Sequence, residues 1–268
     1  PGIVKSHGLV EWAPALGWRD LDLSAKLASS LKYPVFVEND VNLLALGEYW
    51  YGLGQGASSL VCLAVGTGVG AGIVLNGQLY TGAHRAAGEV CNLVVDRSFL
   101  AKDFSQFGNL ETMTSGPAIA RQFRSVGSGS SLDQYRVALA ENDSPETTVT
   151  GAEVVFEEAR RNNPQARKII EEFSCNLAIA IIAITTVLDP DVIVLGGGVS
   201  QNAELFRERL LELCTPVVQV MPRIEASSLG VDAGIMGAIA LTLHNTTENP
   251  LRQVSVVGDD RPNPSGMP

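Results

Sequence analysis

Two clusters in this sequence combine residue types that can do chemistry. The first is Glu38-Asn39-Asp40, two carboxylates and an amide in a row. It falls where a short apolar run, residues 34–37, gives way to a helical pattern over 41–51. A polar cluster between a strand end and a helix start is where α/β proteins place ligand-handling groups. One reading of Asp40 is simply the cap of that helix, yet three polar residues exceed what a cap requires. The second cluster is a turn in which Gly66, Gly68, Gly70 and Gly72 alternate and Thr67 adds a hydroxyl. Without a Cβ, such a backbone can turn tightly and bring its N–H groups close to an anion. The turn therefore reads either as a phosphate cradle or as a hairpin whose glycines only let strands cross.

Lesser candidates follow along the chain. Glu89 lies in the small-residue loop 80–88 and its continuation, just before the apolar run 90–95, where a carboxylate entering a buried strand needs a partner. Glu111 falls at a helix start within 105–116. Each glutamate, taken singly, also reads as a surface residue. Gly196-Gly197-Gly198 follows the buried run 192–195 and precedes a helical pattern over 203–213, a second place where backbone can approach a ligand.

The elements that must position these groups are readable from periodicity. Residues 60–65 and 71–75 are apolar runs bounded by glycine and followed by Asn76-Gly77, which predicts strand, turn, strand and hairpin. Residues 1–18 read as loop, 20–31 as a helix capped by Asp20 or Asp22, and 34–37 as a short strand. Helices are expected over 117–123, 153–160 and 166–188, the last ended by Asp189-Pro190. A strand over 223–228 and a small-residue helix over 230–243 complete the pattern. Residues 126–150, with Gly/Ser-rich and acidic ends, mark an insertion or hinge, and the tail from 245 is expected to be poorly ordered.

The chain of 268 residues can bury a large core. Its net charge of −10 and lack of a basic stripe argue against DNA binding by this chain alone. The four cysteines have no CxxC spacing and the three histidines no ligand spacing, so neither a disulfide framework nor a metal site is expected. No signal peptide or membrane span is read from the pattern, which places the protein in the cytoplasm without membrane contact.

Taken in order, ENDVN, GTGVGAGI, GAHRAAGE, LGGGVS and GVDAGIMGA resemble the ROK family of sugar kinases and sugar-responsive repressors. The resemblance runs over residues 1–243. It implies an α/β protein of the actin-like, ribonuclease H-like ATPase fold, two lobes around a central cleft that binds a sugar with ATP beside it. Residues 1–57 would be the remainder of the small lobe, with 232–245 packing back on it; 58–231 would be the large lobe and 246–268 a tail. By the same match Asp40 is the general base toward a sugar hydroxyl and Asn39 a sugar ligand. Glu89 and Glu111 fall on the family's other sugar-binding acids. Gly66, Thr67, Gly68 and Gly70 match a phosphate motif, and Gly196, Gly197 and Gly198 lie in the nucleotide region. Mg²⁺ would accompany ATP, and a homodimer is implied.

Departures from the family pattern matter equally. The position three beyond Glu89, a histidine in the family that binds sugar near a structural zinc, is Asn92, preceded by Cys91. Residues 104–109 hold none of the family's clustered zinc cysteines, so structural zinc is expected to be absent. Asparagine can still donate and accept a hydrogen bond to sugar. Nothing before Asp40 matches the aspartate- and glycine-containing phosphate motif that opens complete members, which implies a chain entering the small lobe part-way through. The main expectation is an ATP-dependent kinase acting on a hexose or amino sugar; the alternative is the sugar-sensing, dimerising part of a repressor. A degenerate scaffold on the same fold is a third.

Overall fold

A computed structural model describes residues 2–100, 108–127 and 151–246. The chain opens with three strands, β1 (Ile3–Val4), β2 (Leu9–Ala13) and β3 (Trp18–Asp22), paired as an antiparallel meander. This corrects the expectation of loop over 1–18. The glycines and Pro14 that punctuate it are the turns of a small sheet whose strands are too short and too exposed to leave a clear pattern. Helix α1 (Leu23–Leu31) follows, capped by Asp22, whose carboxylate accepts the Ala25 N–H at 2.9 Å. The expected strand at 34–37 does not form: these residues have no regular secondary structure and pair with no strand among the described residues. Without a partner ladder, an apolar run does not make a strand.

Helix α2 (Asp40–Tyr51) comes next, and its cap is Asn39 rather than Asp40: the Asn39 Oδ1 accepts the N–H groups of Val41 and Asn42 at 2.9 and 3.2 Å. Asp40 is thereby left in the first turn, exposed, where a carboxylate suits the helix dipole. Strands β4 (Ser59–Val65), β5 (Val69–Leu75) and β6 (Gln78–Leu79) form the expected hairpins. After them come a 3₁₀ turn at Val90–Asn92, where a buried strand was expected, and helices α3 (Asn109–Thr114) and α4 (Gly116–Gly127). The bulk of the expected insertion, 128–150, lies outside the described residues, as do 104–107 and 247–268.

The second half supplies α5 (Ala152–Arg160), α6 (Pro164–Leu188), β7 (Val192–Gly196), a 3₁₀ segment at Gly198–Leu205, α7 (Arg207–Cys214), β8 (Arg223–Ala226) and α8 (Ala233–Thr246). The helix expected over 203–213 is thus split between a 3₁₀ segment and α7. The large sheet has the order β6-β5-β4-β7-β8, with β4–β6 an antiparallel meander and β7 and β8 added parallel to β4. Alternate side chains serve its two faces. Val61, Leu63, Ile193 and Leu195 meet Phe173, Leu177 and Ile181 of α6 in the main core; Leu60, Cys62, Val192 and Val194 meet Ala45 and Leu46 of α2 on the other side. Although α6 is long and apolar enough to span a membrane, most of its apolar side chains, Ile169, Ile170, Phe173, Leu177, Ile181 and Ile184 among them, are buried in that core.

Helix α2 lies against α8 as well as on β4 and β5, so this helix, from before residue 57, shares the large sheet. Its far end is pinned by Glu48, which is fully buried. The Glu48 carboxylate accepts hydrogen bonds from the hydroxyls of Ser227 (2.5 Å) and Ser228 (3.0 Å) and from the N–H groups of Leu53 and Leu229. Four donors replace the water that the carboxylate gives up on burial.

Candidate active site

Strands β4 and β7 run parallel and in register, Ala64 beside Gly196, so their carboxyl ends open on the same side. There the turn after β4 and the 3₁₀ segment after β7 face a cleft of about 550 Å³. Gly66, Thr67, Gly198, Val199 and Asn202 line one part of it, and Gly116, Pro117, Arg121, Arg124 and Gly151 another. The starts of α4, α5 and the 3₁₀ segment border this space, each with backbone N–H groups that have no partner within their own helix. The turn and α4 are tied together, since the Gly116 N–H donates to the Gly66 carbonyl at 2.8 Å.

The seven glycine-loop residues assigned to nucleotide divide by what stands in front of them. A Cβ on Gly198 would meet nothing within 4 Å, and one on Gly66 would meet only the Gly198 N at 3.8 Å. These two positions and Thr67 face open space, as a cradle requires. By contrast, a Cβ on Gly72 would lie 2.6 Å from the Ala45 Cβ, and one on Gly70 would lie 3.3 Å from the Val41 Cγ2. Both glycines let α2 settle onto β5. Gly68 makes room for the Glu111 carboxylate, Gly196 sits over the Cys62 sulfur, and Gly197, with φ at +81°, turns the chain against the Val65 carbonyl. None of these five glycines lines the cleft.

The seating of Val41 on Gly70 and Gly72 brings the start of α2, and Asp40 with it, to the glycine-turn end of β5. Of the other predicted groups, Asn39 is engaged by the protein itself: besides capping α2, its Nδ2 donates to the Gly2 carbonyl at 2.9 Å. Its amide oxygen is therefore committed, and a ligand meets only what remains of the Nδ2 donor. Glu111 accepts the Val69 N–H at 2.7 Å and so braces the glycine turn from below. Burial holds its carboxyl above the usual carboxylate range; the Val69 hydrogen bond opposes this, Glu89 adds to it, and Arg121 opposes it. Glu89 and Asn92 are exposed on the 3₁₀ turn beside Cys91, whose thiol donates to Glu89 at 3.5 Å. Burial and the two glutamates push the Cys91 thiol up to about 12, so it stays protonated and is no nucleophile at neutral pH.

Several groups escaped sequence reasoning. Arg121 and Arg124 lie three apart on α4, on the face toward the cleft, and their i, i+3 spacing after Gly116 was the available signal. Arg85 forms a buried ion pair with Glu38, Nη2 to Oε2 at 2.8 Å, that only the folded chain reveals. Among the described residues no three His, Cys, Asp or Glu side chains gather as metal ligands.

The ROK family model matches residues 1–245. The glucokinase of Halalkalibacterium halodurans is 32% identical over 243 residues, 88% of this chain and 72% of that protein. A putative xylose repressor of Caldicellulosiruptor sp. is 30% identical over 91% of this chain, which spans 61% of the repressor. Among solved structures, a ROK family glucokinase from Streptomyces griseus, in complex with glucose and AMPPNP, superposes with a TM-score of 0.75 at 28% identity, covering 90% of this chain and 78% of that one. Sheet order, cleft and motif sequence agree with these likenesses, which place the fold as actin-like and make both sugar kinases and repressors relatives: the chain belongs to the ROK family.

Proposed function

We propose that this chain belongs to a sugar kinase that transfers the γ-phosphoryl group of ATP to a hydroxyl of a hexose or amino sugar. The observation that carries this reading is the pairing of a ligand-sized, glycine-walled cleft with an exposed carboxylate at the neighbouring helix start. Gly66, Thr67 and Gly198 leave open space before their backbone, with Arg121 and Arg124 on the facing wall. A sensor of sugar alone has no need of a phosphate cradle.

In this reading Asp40 accepts the proton of the sugar hydroxyl and orients its oxygen toward the phosphoryl group, the main task left to a side chain in such a transfer. Glu89, Asn92 and the remaining Asn39 donor hold sugar hydroxyls, with Glu111 fixing the turn that separates sugar from phosphates. The wall of Gly66, Thr67, Gly198, Arg121 and Arg124 holds the polyphosphate. Mg²⁺, when bound with the nucleotide, would supply charge neutralisation for the transferring phosphoryl group.

The alternative reading is the sugar-sensing part of a repressor, favoured by the xylose-repressor likeness. ADP release by the full-length protein, measured with Mg²⁺-ATP against a panel of hexoses and N-acetylated amino sugars, separates the two. Sugar-dependent release with one preferred sugar supports the kinase. Sugar binding by thermal shift without turnover overturns it in favour of the sensor.

A further inference from the structure

Arg85 occupies a position that costs the backbone something. Its φ is +58°, the left-handed region that side-chain-bearing residues seldom adopt, in a loop that bends back on itself through the Ala87 N–H to Thr81 carbonyl bond. A residue persists there when its surroundings over-determine it, and such strain clusters at functional sites. The surroundings are explicit. The Arg85 guanidinium pairs with Glu38 at 2.8 Å, the two side chains 14% and 5% exposed, and its Nε donates to the Val4 carbonyl. The other Glu38 oxygen accepts the Asn39 N–H and the Asn42 Nδ2, both at 2.9 Å. Asn39 in turn caps α2 and donates to Gly2.

Every link of this chain leads to one place. Arg85 orients Glu38, Glu38 holds the backbone of Asn39 and the side chain of Asn42, and those two residues flank Asp40 on either side. The same network joins three separate pieces: the 81–88 loop, which is anchored to β5 through the Ala71 N–H to Gly88 carbonyl bond at 2.8 Å, the first strand, and the start of α2. We propose that Arg85 is a positioning residue for the phosphoryl-transfer step, fixing through Glu38 the turn that presents Asp40. The inference rests on the reading of Asp40 as general base. It assigns to the loop between β6 and Glu89 a role in turnover separate from sugar contact.

The proposal predicts a loss in kcat with little change in KM, because a displaced base costs rate rather than binding. A misplacement of about 1 Å costs on the order of 100-fold. Arg85→Gly removes the guanidinium while relieving the left-handed backbone, so its loss cannot be assigned to backbone strain. We expect kcat to fall about 100-fold with both KM values within about threefold. Arg85→Lys, which keeps the charge but not the fork, should recover at least about tenfold of that loss, and it also serves if the glycine variant fails to fold. Glu38→Gln combined with Arg85→Gly should lose far less than the product of the single losses, since both act through one link. The full-length protein is assayed with Asp40→Asn alongside. If Asp40→Asn abolishes turnover while Arg85→Gly and Arg85→Lys keep wild-type kcat, the positioning role is overturned and the kinase reading stands. If Asp40→Asn leaves turnover unchanged, or the wild type has none, the kinase reading fails and the proposal with it. A uniform rise in KM at constant kcat assigns Arg85 to binding and equally overturns positioning.

Discussion

The two ends of the site rest on unlike foundations. The glycine-walled cleft is built on the five-stranded sheet, where Phe156, Phe173 and Phe206 are almost fully buried and apolar side chains cover both faces. The N-terminal sheet and α1 bury far less, the sheet only Val4, Val10 and Ala13 among its described apolar residues. No residue of α1 is buried, and Leu27, Leu31, Tyr33 and Phe36 are exposed, Tyr33 to 75%. The Glu38-Asn39-Asp40 turn is tied to the N-terminal segment by polar links, directly through the Asn39 hydrogen bond to Gly2 and indirectly through Arg85, which pairs with Glu38 and donates to the Val4 carbonyl. The lesson is that the proposed cradle is held by a self-sufficient core, whereas the proposed base depends on a polar network reaching into a region that buries less. Regions with few buried apolar contacts open first.

The sharpest way to break this contrast is to remove equivalent apolar groups from each side. Phe173→Ala, at a site 1% exposed and in edge-to-face contact with Phe206, should cost about 3–5 kcal/mol in denaturant unfolding. Glu48→Ala tests the joint between α2 and the 227–229 segment. It leaves two hydroxyls and two N–H groups without their acceptor and should cost about 3 kcal/mol, read in the same experiment.

Glu111 sharpens the contrast through pH. Because its folded-state carboxyl is held above the unfolded value of about 4.5, the folded state favours the protonated form. The stability it contributes is present below the unfolded value and is lost as pH rises through the folded one. Glu111→Gln removes that dependence. The wild type should therefore lose stability relative to the variant as pH rises from about 4.5 toward neutrality, in denaturant midpoints measured across that range. The smallest effect is expected on the other side of the molecule. Leu27→Ala, on the exposed face of α1 at 38% exposure, should change stability by no more than about 0.5 kcal/mol. A loss matching that of Phe173→Ala would end the distinction between the two regions.

Much of the scaffold was legible because its signals are local. Strands β4 and β5 announce themselves as apolar runs around a glycine turn, and the Asn76-Gly77 pair fixes the hairpin beyond them. The N-terminal strands were missed because each is short and half exposed, so turn residues outweighed strand residues. The glycines were legible as a group but not by role. Gly66 and Gly198 face open space while Gly70 and Gly72 receive α2, and nothing local separates a glycine kept for a ligand from one kept for a helix. Glu48 and Arg85 were invisible for the same reason: their partners stand 179 and 47 residues away along the chain.

The central claim is that Asp40, exposed at the start of α2 beside the glycine turn, is the base of a sugar-phosphorylating enzyme. Its most direct test is the rate of sugar-dependent ADP release by the Asp40→Asn variant of the full-length protein, with sugar binding followed in parallel by thermal shift. The account predicts a fall in kcat of roughly 10²–10⁴-fold with sugar binding largely retained. Turnover equal to that of the wild type would contradict it.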